Sequence, residues 1–197
     1  PMKEERQILL SDYIKVYDNV VAPELCEKLI NLFDLCEKKI YDDHCKKFTE
    51  INLNKNSSFF PEFSRIVNIF GQCAEAYRRD APATDFMPPT DIMESIKIKR
   101  YEPDGYFKDH IDSCDANTMM RYLSMFVYLN DSGGTEFFGN KIPAEAGKVV
   151  CFPPNWMFPH NGYVGDKPKY FMGSYLHFEL PSVKEAREKE SLLSSAG

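Results

Sequence analysis

The chain has 197 residues, 43% of them hydrophobic and 14% aromatic, with a formal net charge of −6 and a sequence pI of about 5.3. This composition excludes a largely disordered chain, and the acidic balance argues against broad electrostatic binding to nucleic acid. Apolar runs stay well short of the roughly 20 residues of a membrane helix, and no secretory leader is recognisable, so we expect no membrane partner.

The amino-terminal part of the chain reads as a strand followed by two helices. Residues 14–21 predict a strand that enters a helix with Pro23 in its first turn. Apolar residues then recur at helical spacing in two stripes, each of which needs a covering surface. The first stripe is Leu25, Leu29, Leu32, Phe33 and Cys36; the second is Phe63, Ile66, Val67, Phe70, Cys73, Ala74 and Tyr77.

After a proline-rich connector at 81–90, the pattern changes to short extended segments separated by turn residues. Such spacing predicts an antiparallel sandwich or barrel rather than a parallel α/β sheet, and hence an α+β, mainly β chain. The segments are 95–101, 106–112, 121–130, 134–140, 147–154 and 169–178. We predict one domain over 1–197, with a strand and supporting helices at 12–90, a β core at 91–180 and a polar tail at 181–197.

The six cysteines are scattered and contain no CxxC pair, which predicts free thiols and a reducing, cytoplasmic location. A disulfide framework remains the alternative. The cysteines are Cys26, Cys36, Cys45, Cys73, Cys114 and Cys151.

Histidine and aspartate stand two residues apart at His110 and Asp112, so on a strand both side chains point to one face. Such pairs arise easily by chance in an acidic chain, and His177 with Glu179 forms a second one. Two histidines and one carboxylate with open positions are typical of non-haem Fe(II) oxygenases. His160, after an apolar strand, is the better candidate for the third ligand; His44 lies in a charged segment and His177 reads as a surface strand residue.

A basic residue follows this candidate triad at Lys169, nine positions after His160. A dicarboxylate cosubstrate needs a fixed cation for its remote carboxylate, and Lys169 alternates with Phe171, Gly173 and Tyr175 on one strand face. The alternative is a solvated lysine at a strand edge.

Taken together, these features resemble the iron(II)- and 2-oxoglutarate-dependent dioxygenases of the prolyl 4-hydroxylase-like branch, over roughly residues 12–180. The matching segments are DYIKVYDNVVAPELCEKLINLF, IKRYEPDGYFKDHID, MFVYLNDSGGTEFFG, AGKVVCFPP and HNGYVGDKPKYFMGSYL. The resemblance implies a double-stranded β-helix (jelly-roll or cupin-like) core with packed amino-terminal helices. It also implies Fe(II), 2-oxoglutarate and O2, with ascorbate as a reductant.

Site residues follow from the same resemblance. His110, Asp112 and His160 match the iron ligands, and Lys169 matches the residue that binds the C5 carboxylate of 2-oxoglutarate. Tyr101 and Tyr128 match tyrosines of the cosubstrate pocket, with core aromatics as the alternative.

The resemblance also implies that Arg121 and Tyr175 lie near the bound substrate. Arg121 matches an arginine that contacts the peptide substrate, with a surface arginine as the alternative. Tyr175 stands near the substrate, where many relatives carry tryptophan. Residues 113–120 and the proline-rich connector are candidates for a lid.

The resemblance implies hydroxylation of a prolyl residue in a protein or peptide, with release of succinate and CO2. The same chemistry on a free amino acid, a small molecule or another residue is the alternative. A third hypothesis is a catalytically silent β-barrel that binds a metal. Demethylation of nucleic acid by the same chemistry fits the acidic pI poorly. The sequence carries no prediction of oligomeric state.

Overall fold

The computed structural model describes residues 7–88, 92–180, 182 and 185. The predicted tail at 181–197 lies outside the described residues except for Ser182 and Glu185, as do residues 89–91 of the connector. Within the described chain there are two α-helices, α1 (Pro23–Leu35) and α2 (Phe60–Asp80). Short 3-10 helices occur at Leu10–Tyr13, Leu53–Lys55, Ser57–Phe59 and Thr84–Phe86.

Eleven strands make up the rest of the described fold. They are β1 (Lys15–Tyr17), β2 (Lys39–Asp42), β3 (Lys46–Asn52), β4 (Lys97–Tyr101), β5 (Tyr106–His110), β6 (Arg121–Tyr128), β7 (Gly134–Phe137), β8 (Asn140–Pro143), β9 (Val149–Phe152), β10 (His160–Tyr163) and β11 (Lys169–His177). They pair antiparallel in the order β1-β9-β6-β11-β4-β3-β5-β10-β7-β8, and β2 pairs with β3. The sheet curls into a jelly-roll, double-stranded β-helix core, so the predicted α+β, mainly β fold class is confirmed.

Both predicted helices are present, and each buries one apolar stripe against the sheet. Pro23 occupies the first turn of α1, where the missing N–H costs no hydrogen bond. The stripe of α2 is rotated slightly from the prediction, because Ile69 is buried while Val67 is 37% exposed. Burying these faces, including the fully buried Phe33 and Phe70, fixes one side of the sheet.

Strand β6 is buried on both faces and therefore separates the two cores. Leu123, Met125 and Val127 pack toward the helices. The residues between them point the other way, and Phe126 and Tyr128 join a second aromatic cluster inside the curled sheet. This alternation follows from the two-residue period of a strand.

Strands β2, β3, β8 and β10 were not predicted. In β3, KKFTEIN mixes charged and apolar residues, and Glu50 is nonetheless buried because its face of the strand lines a cavity. The segment assigned to 12–90 thus supplies three strands, and β3 inserts between β4 and β5 in the middle of the sheet. Pairing to neighbours, rather than local pattern, makes these segments strands.

All six cysteines are free, as the sequence predicted. In the part of the chain that the structure describes, no helix has the length and apolarity needed to cross a membrane.

Candidate active site

The predicted triad of His110, Asp112 and His160 comes together where three antiparallel strands meet. β10 pairs with β5 on one side and β7 on the other, and the register places His160 directly opposite His110. Asp112 follows β5 by two residues. The His110 Nε2 and His160 Nε2 atoms each lie 3.6 Å from an oxygen of the Asp112 carboxylate. One ligand atom from each residue falls within 4.8 Å of the others, as a shared metal ion requires.

Both histidines are oriented by backbone carbonyls. His110 Nδ1 lies 2.8 Å from the Lys108 carbonyl oxygen, and His160 Nδ1 lies 3.1 Å from that of Phe158. A carbonyl oxygen only accepts, so in each ring Nδ1 carries the proton, and Nε2 is the nitrogen that faces the same point as the Asp112 carboxylate. Such contacts fix the tautomer of a metal-binding histidine.

The protonation states also suit a metal. Burial opposes ionisation of Asp112, but His160, His110 and Lys99 outweigh it and hold the pKa of this carboxyl well below its usual range. Burial lowers the pKa of His160 and so favours the neutral imidazole. One carboxylate and two imidazoles form the donor set that binds Fe(II) in a facial arrangement.

A second group of side chains holds Asp112 in place. Ser124 Oγ donates to its carboxylate at 3.3 Å. The Arg121 guanidinium donates to the Asp112 backbone carbonyl at 2.6 Å. Arg121 is itself fixed by two 2.6 Å hydrogen bonds to Glu94. Arg121 therefore positions a triad residue, and it also lines the cavity as a substrate contact would.

Glu94→Ala is expected to weaken metal binding roughly 10- to 100-fold, as loss of outer hydrogen-bond partners does in other metal sites. It also leaves the Arg121 guanidinium without its carboxylate, which lowers the free energy of unfolding by about 2 kcal/mol. Metal titration and chemical denaturation measure the two effects. Glu102→Ala is the matched control, because it removes an exposed ion pair with Arg100. Equal behaviour of the two variants would contradict the positioning role.

The triad opens on a cavity of about 290 Å³ enclosed by the curled sheet. Seven of the eight predicted site residues line it. They are Tyr101, His110, Asp112, Arg121, His160, Lys169 and Tyr175. The proposed lid borders it through Cys114 and Thr118, in a turn held by hydrogen bonds from the Asn117 and Thr118 amides to Asp115.

Tyr128 is the predicted residue that does not reach the cavity. It is fully buried, and its hydroxyl donates to Thr135 Oγ1 at 2.8 Å. Thr135 lines the cavity in its place. In the structure the Tyr128 hydroxyl is directed to Thr135, and a contact between Tyr128 and the cosubstrate stays a prediction.

Lys169 lies with its side chain at the buried end of the cavity. Its side chain is 2% exposed, and its ammonium donates to the Gly134 carbonyl. The rings of Tyr101, Tyr128 and Phe171 lie 5.6–5.7 Å from Nζ. Among the described residues, no carboxylate lies within ion-pair distance of it. A buried ammonium without a counterion is costly, and an incoming carboxylate relieves that cost.

Gly162 leaves space for the Lys169 ammonium group. A Cβ at that position would come within 3.3 Å of Lys169 Nζ. Sequence reasoning missed both Gly162 and Ser124, although a serine inside the apolar segment RYLSMFVY is a detectable signal.

The affinity for 2-oxoglutarate is expected to fall as pH rises. Burial lowers the pKa of Lys169 to about 7, so the ammonium that binds a carboxylate is lost above that pH. The dissociation constant should rise up to about tenfold per pH unit above 7. Isothermal titration of Mn(II)-loaded protein between pH 6.5 and 8.5 measures it. Lys169→Arg stays charged across this range, so any binding that it retains should lack the dependence; a flat wild-type profile would contradict the assignment.

Comparison with known proteins agrees with this geometry. The profile of the 2OG-Fe(II) oxygenase superfamily matches residues 96–177, a segment that contains all eight predicted site residues. A putative prolyl 4-hydroxylase of Acanthamoeba polyphaga mimivirus is 24% identical over 156 residues, covering 71% of this chain. The chain spans 60% of the length of that relative.

Solved prolyl hydroxylases share the fold. A Pseudomonas putida prolyl-4-hydroxylase has a TM-score of 0.66 at 14% identity, covering 85% of this chain and 94% of that one. The viral collagen prolyl hydroxylase of Paramecium Bursaria Chlorella virus-1, in its 2OG complex, has a TM-score of 0.58 at 18% identity, covering 83% and 94%. A Trichoplax adhaerens prolyl hydroxylase with a hypoxia inducible factor peptide fragment has a TM-score of 0.64 at 10% identity, covering 85% and 84%. The solved structures show that the chain has the prolyl 4-hydroxylase type of fold, and residues 96–177 resemble the 2OG-Fe(II) oxygenase superfamily.

Proposed function

We propose that this protein is an Fe(II)- and 2-oxoglutarate-dependent dioxygenase that hydroxylates a prolyl residue in a protein or peptide, with release of succinate and CO2. One observation carries the proposal: two histidines, one carboxylate and a buried lysine that has no counterion among the described residues converge on a single cavity. The donor set fits iron, and the lysine fits the far end of a dicarboxylate.

Each residue has a definite task in this proposal. His110, Asp112 and His160 hold the iron, while Lys169 binds the C5 carboxylate of 2-oxoglutarate. Tyr101 forms the cavity wall beside that carboxylate. When bound, iron supplies O2 activation at the expense of 2-oxoglutarate, with ascorbate keeping the metal reduced. The aromatic walls exclude water from the reacting centre.

A prolyl substrate is supported by the kind of protein that shares the fold. The similar structures are prolyl hydroxylases, one of them with a bound peptide fragment. We assign Arg121 and Tyr175 to the substrate side of the cavity, where Arg121 stacks 3.9 Å over the Tyr175 ring. The six free cysteines support a reducing, cytoplasmic location as part of the proposal.

The function is tested with purified protein, Fe(II), 2-oxoglutarate, ascorbate and a panel of proline-rich peptides. The expected result is peptide-dependent succinate formation with addition of one oxygen atom to a proline, detected by mass spectrometry. Turnover on free amino acids or small molecules, without peptide oxidation, would replace the prolyl substrate by the alternative class. If the protein binds iron but forms no succinate with any substrate, the result would instead favour the catalytically silent metal-binding β-barrel.

A further inference from the structure

A second lysine, Lys99, projects into the same cavity from β4. It lies on the same strand face as Tyr101, and the register places it beside Phe171 on β11 and Glu50 on β3. Its ammonium lies 4.8 Å from the ring centroid of Phe48, 5.7 Å from that of Phe107 and 5.6 Å from that of Phe171. These rings hold the cation at a defined place in the cavity wall.

The carboxylates near Lys99 are committed to other partners. Glu50, directly opposite on β3, pairs with Lys97 at 3.5 Å and accepts from the Tyr41 hydroxyl at 3.3 Å. Asp112 faces the two histidines of the triad. Across the residues that the structure describes, Lys99 has no carboxylate within ion-pair distance. Burial lowers the pKa of Lys99, as expected for an ammonium in such surroundings.

The cosubstrate does not account for this charge. In the proposed function, one carboxylate of 2-oxoglutarate meets the metal and the other meets Lys169. Lys99 therefore keeps a positive charge that no carboxylate of the described residues or of the proposed cosubstrate pairs with directly, and a charge in an apolar setting is stabilised by such pairing.

We propose that Lys99 is a specificity determinant, which binds a carboxylate side chain of the substrate and so selects an aspartyl or glutamyl residue close to the residue that is modified. This inference rests on the proposed function, since it assigns the substrate class of the same site. An acidic peptide fits better than a nucleic acid. A nucleic-acid strand needs a row of exposed cations along its backbone, whereas Lys99 lies inside the cavity of a chain with net charge −6.

The test measures peptide binding apart from turnover. Protein loaded with Mn(II) and 2-oxoglutarate is kept free of oxygen and titrated with two sets of proline peptides. One set carries Glu at each position near the proline in turn, and the matched set carries Gln at the same positions. Wild type should prefer at least one Glu peptide about tenfold, the effect of one charge-assisted hydrogen bond. Lys99→Met should reduce that preference to less than about twofold and leave the affinity for 2-oxoglutarate unchanged.

Two other variants sharpen the result. Glu50→Gln removes a negative charge directly opposite Lys99, which would repel an incoming carboxylate, and should strengthen the Glu preference. Lys141→Met makes the same charge change at an exposed residue of β8 outside the cavity wall, and should retain the preference. Thermal unfolding of Lys99→Met should match wild type, because methionine fills the space among the rings.

Several outcomes would overturn the inference. These are no Glu preference at any position, a preference that survives in Lys99→Met, or a loss of 2-oxoglutarate affinity in that variant, which would assign Lys99 to the cosubstrate. Lys99-dependent binding of a single-stranded oligonucleotide in place of peptides would also overturn it. Failure of the proposed function looks different: no peptide is oxidised, yet the Lys99-dependent Glu preference persists.

Discussion

Asp112→Ala is expected to abolish iron binding and succinate formation. Asp112 is the anionic member of the triad, and its carboxylate lies between the two imidazoles. Loss of outer hydrogen-bond partners alone costs roughly 10- to 100-fold in metal affinity, so loss of a direct ligand should exceed about 100-fold. Metal titration followed by elemental analysis measures the binding, and a coupled succinate assay measures turnover.

The control for this variant is Asp104→Ala, which removes an exposed aspartate paired with Lys47 outside the cavity wall. It should retain wild-type metal content. Asp112→Asn keeps the shape of the side chain and removes its charge, so it separates a folding defect from a ligand defect. Wild-type activity in Asp112→Ala would show that the triad assignment is wrong.

Lys169→Met is expected to weaken 2-oxoglutarate binding by more than about 100-fold without destabilising the protein. The first effect follows from losing the charged partner of the C5 carboxylate, a buried pair whose disruption typically costs several kcal/mol. The second follows because a buried ammonium that has no counterion among the described residues is replaced by an apolar chain of similar length. Isothermal titration measures the affinity for 2-oxoglutarate, and chemical denaturation without cosubstrate measures the free energy of unfolding.

The pH dependence of stability gives an independent check on Lys169. Its folded-state pKa is lowered to about 7 from an ordinary value of 10.5, so the unfolded chain binds this proton more tightly. Between those values, this group makes wild-type stability rise with pH, and Lys169→Met should lack that contribution. A variant that is less stable than wild type and that binds 2-oxoglutarate normally would assign Lys169 to structure alone.

Local patterns in the sequence determined the helices, most core strands and the candidate ligands. The apolar stripes of α1 and α2 are periodic over many residues, and the two-residue period of a strand places His110 and Asp112 on one face. Lys169 was recognisable from its spacing after His160 and its alternation with apolar residues. These features depend on neighbours within a few positions, which a sequence displays directly.

Tertiary structure decided which side chains meet across the sheet. β10 is a strand only because β5 and β7 pair with it, and that pairing sets His160 opposite His110. Tyr128 lies behind Thr135, and Arg121 is held by Glu94 from 27 residues away.

The position of Lys99 illustrates the same limit. Alternating lysines read from sequence as a solvated face. The insertion of β3 beside β4 instead encloses Lys99 among three rings and directs Glu50 to Lys97. Spacing along the chain determined the ligand types and the order in which they occur. Strand register and the curl of the sheet determined which of them share one cavity, because pairing between distant segments depends on the whole chain.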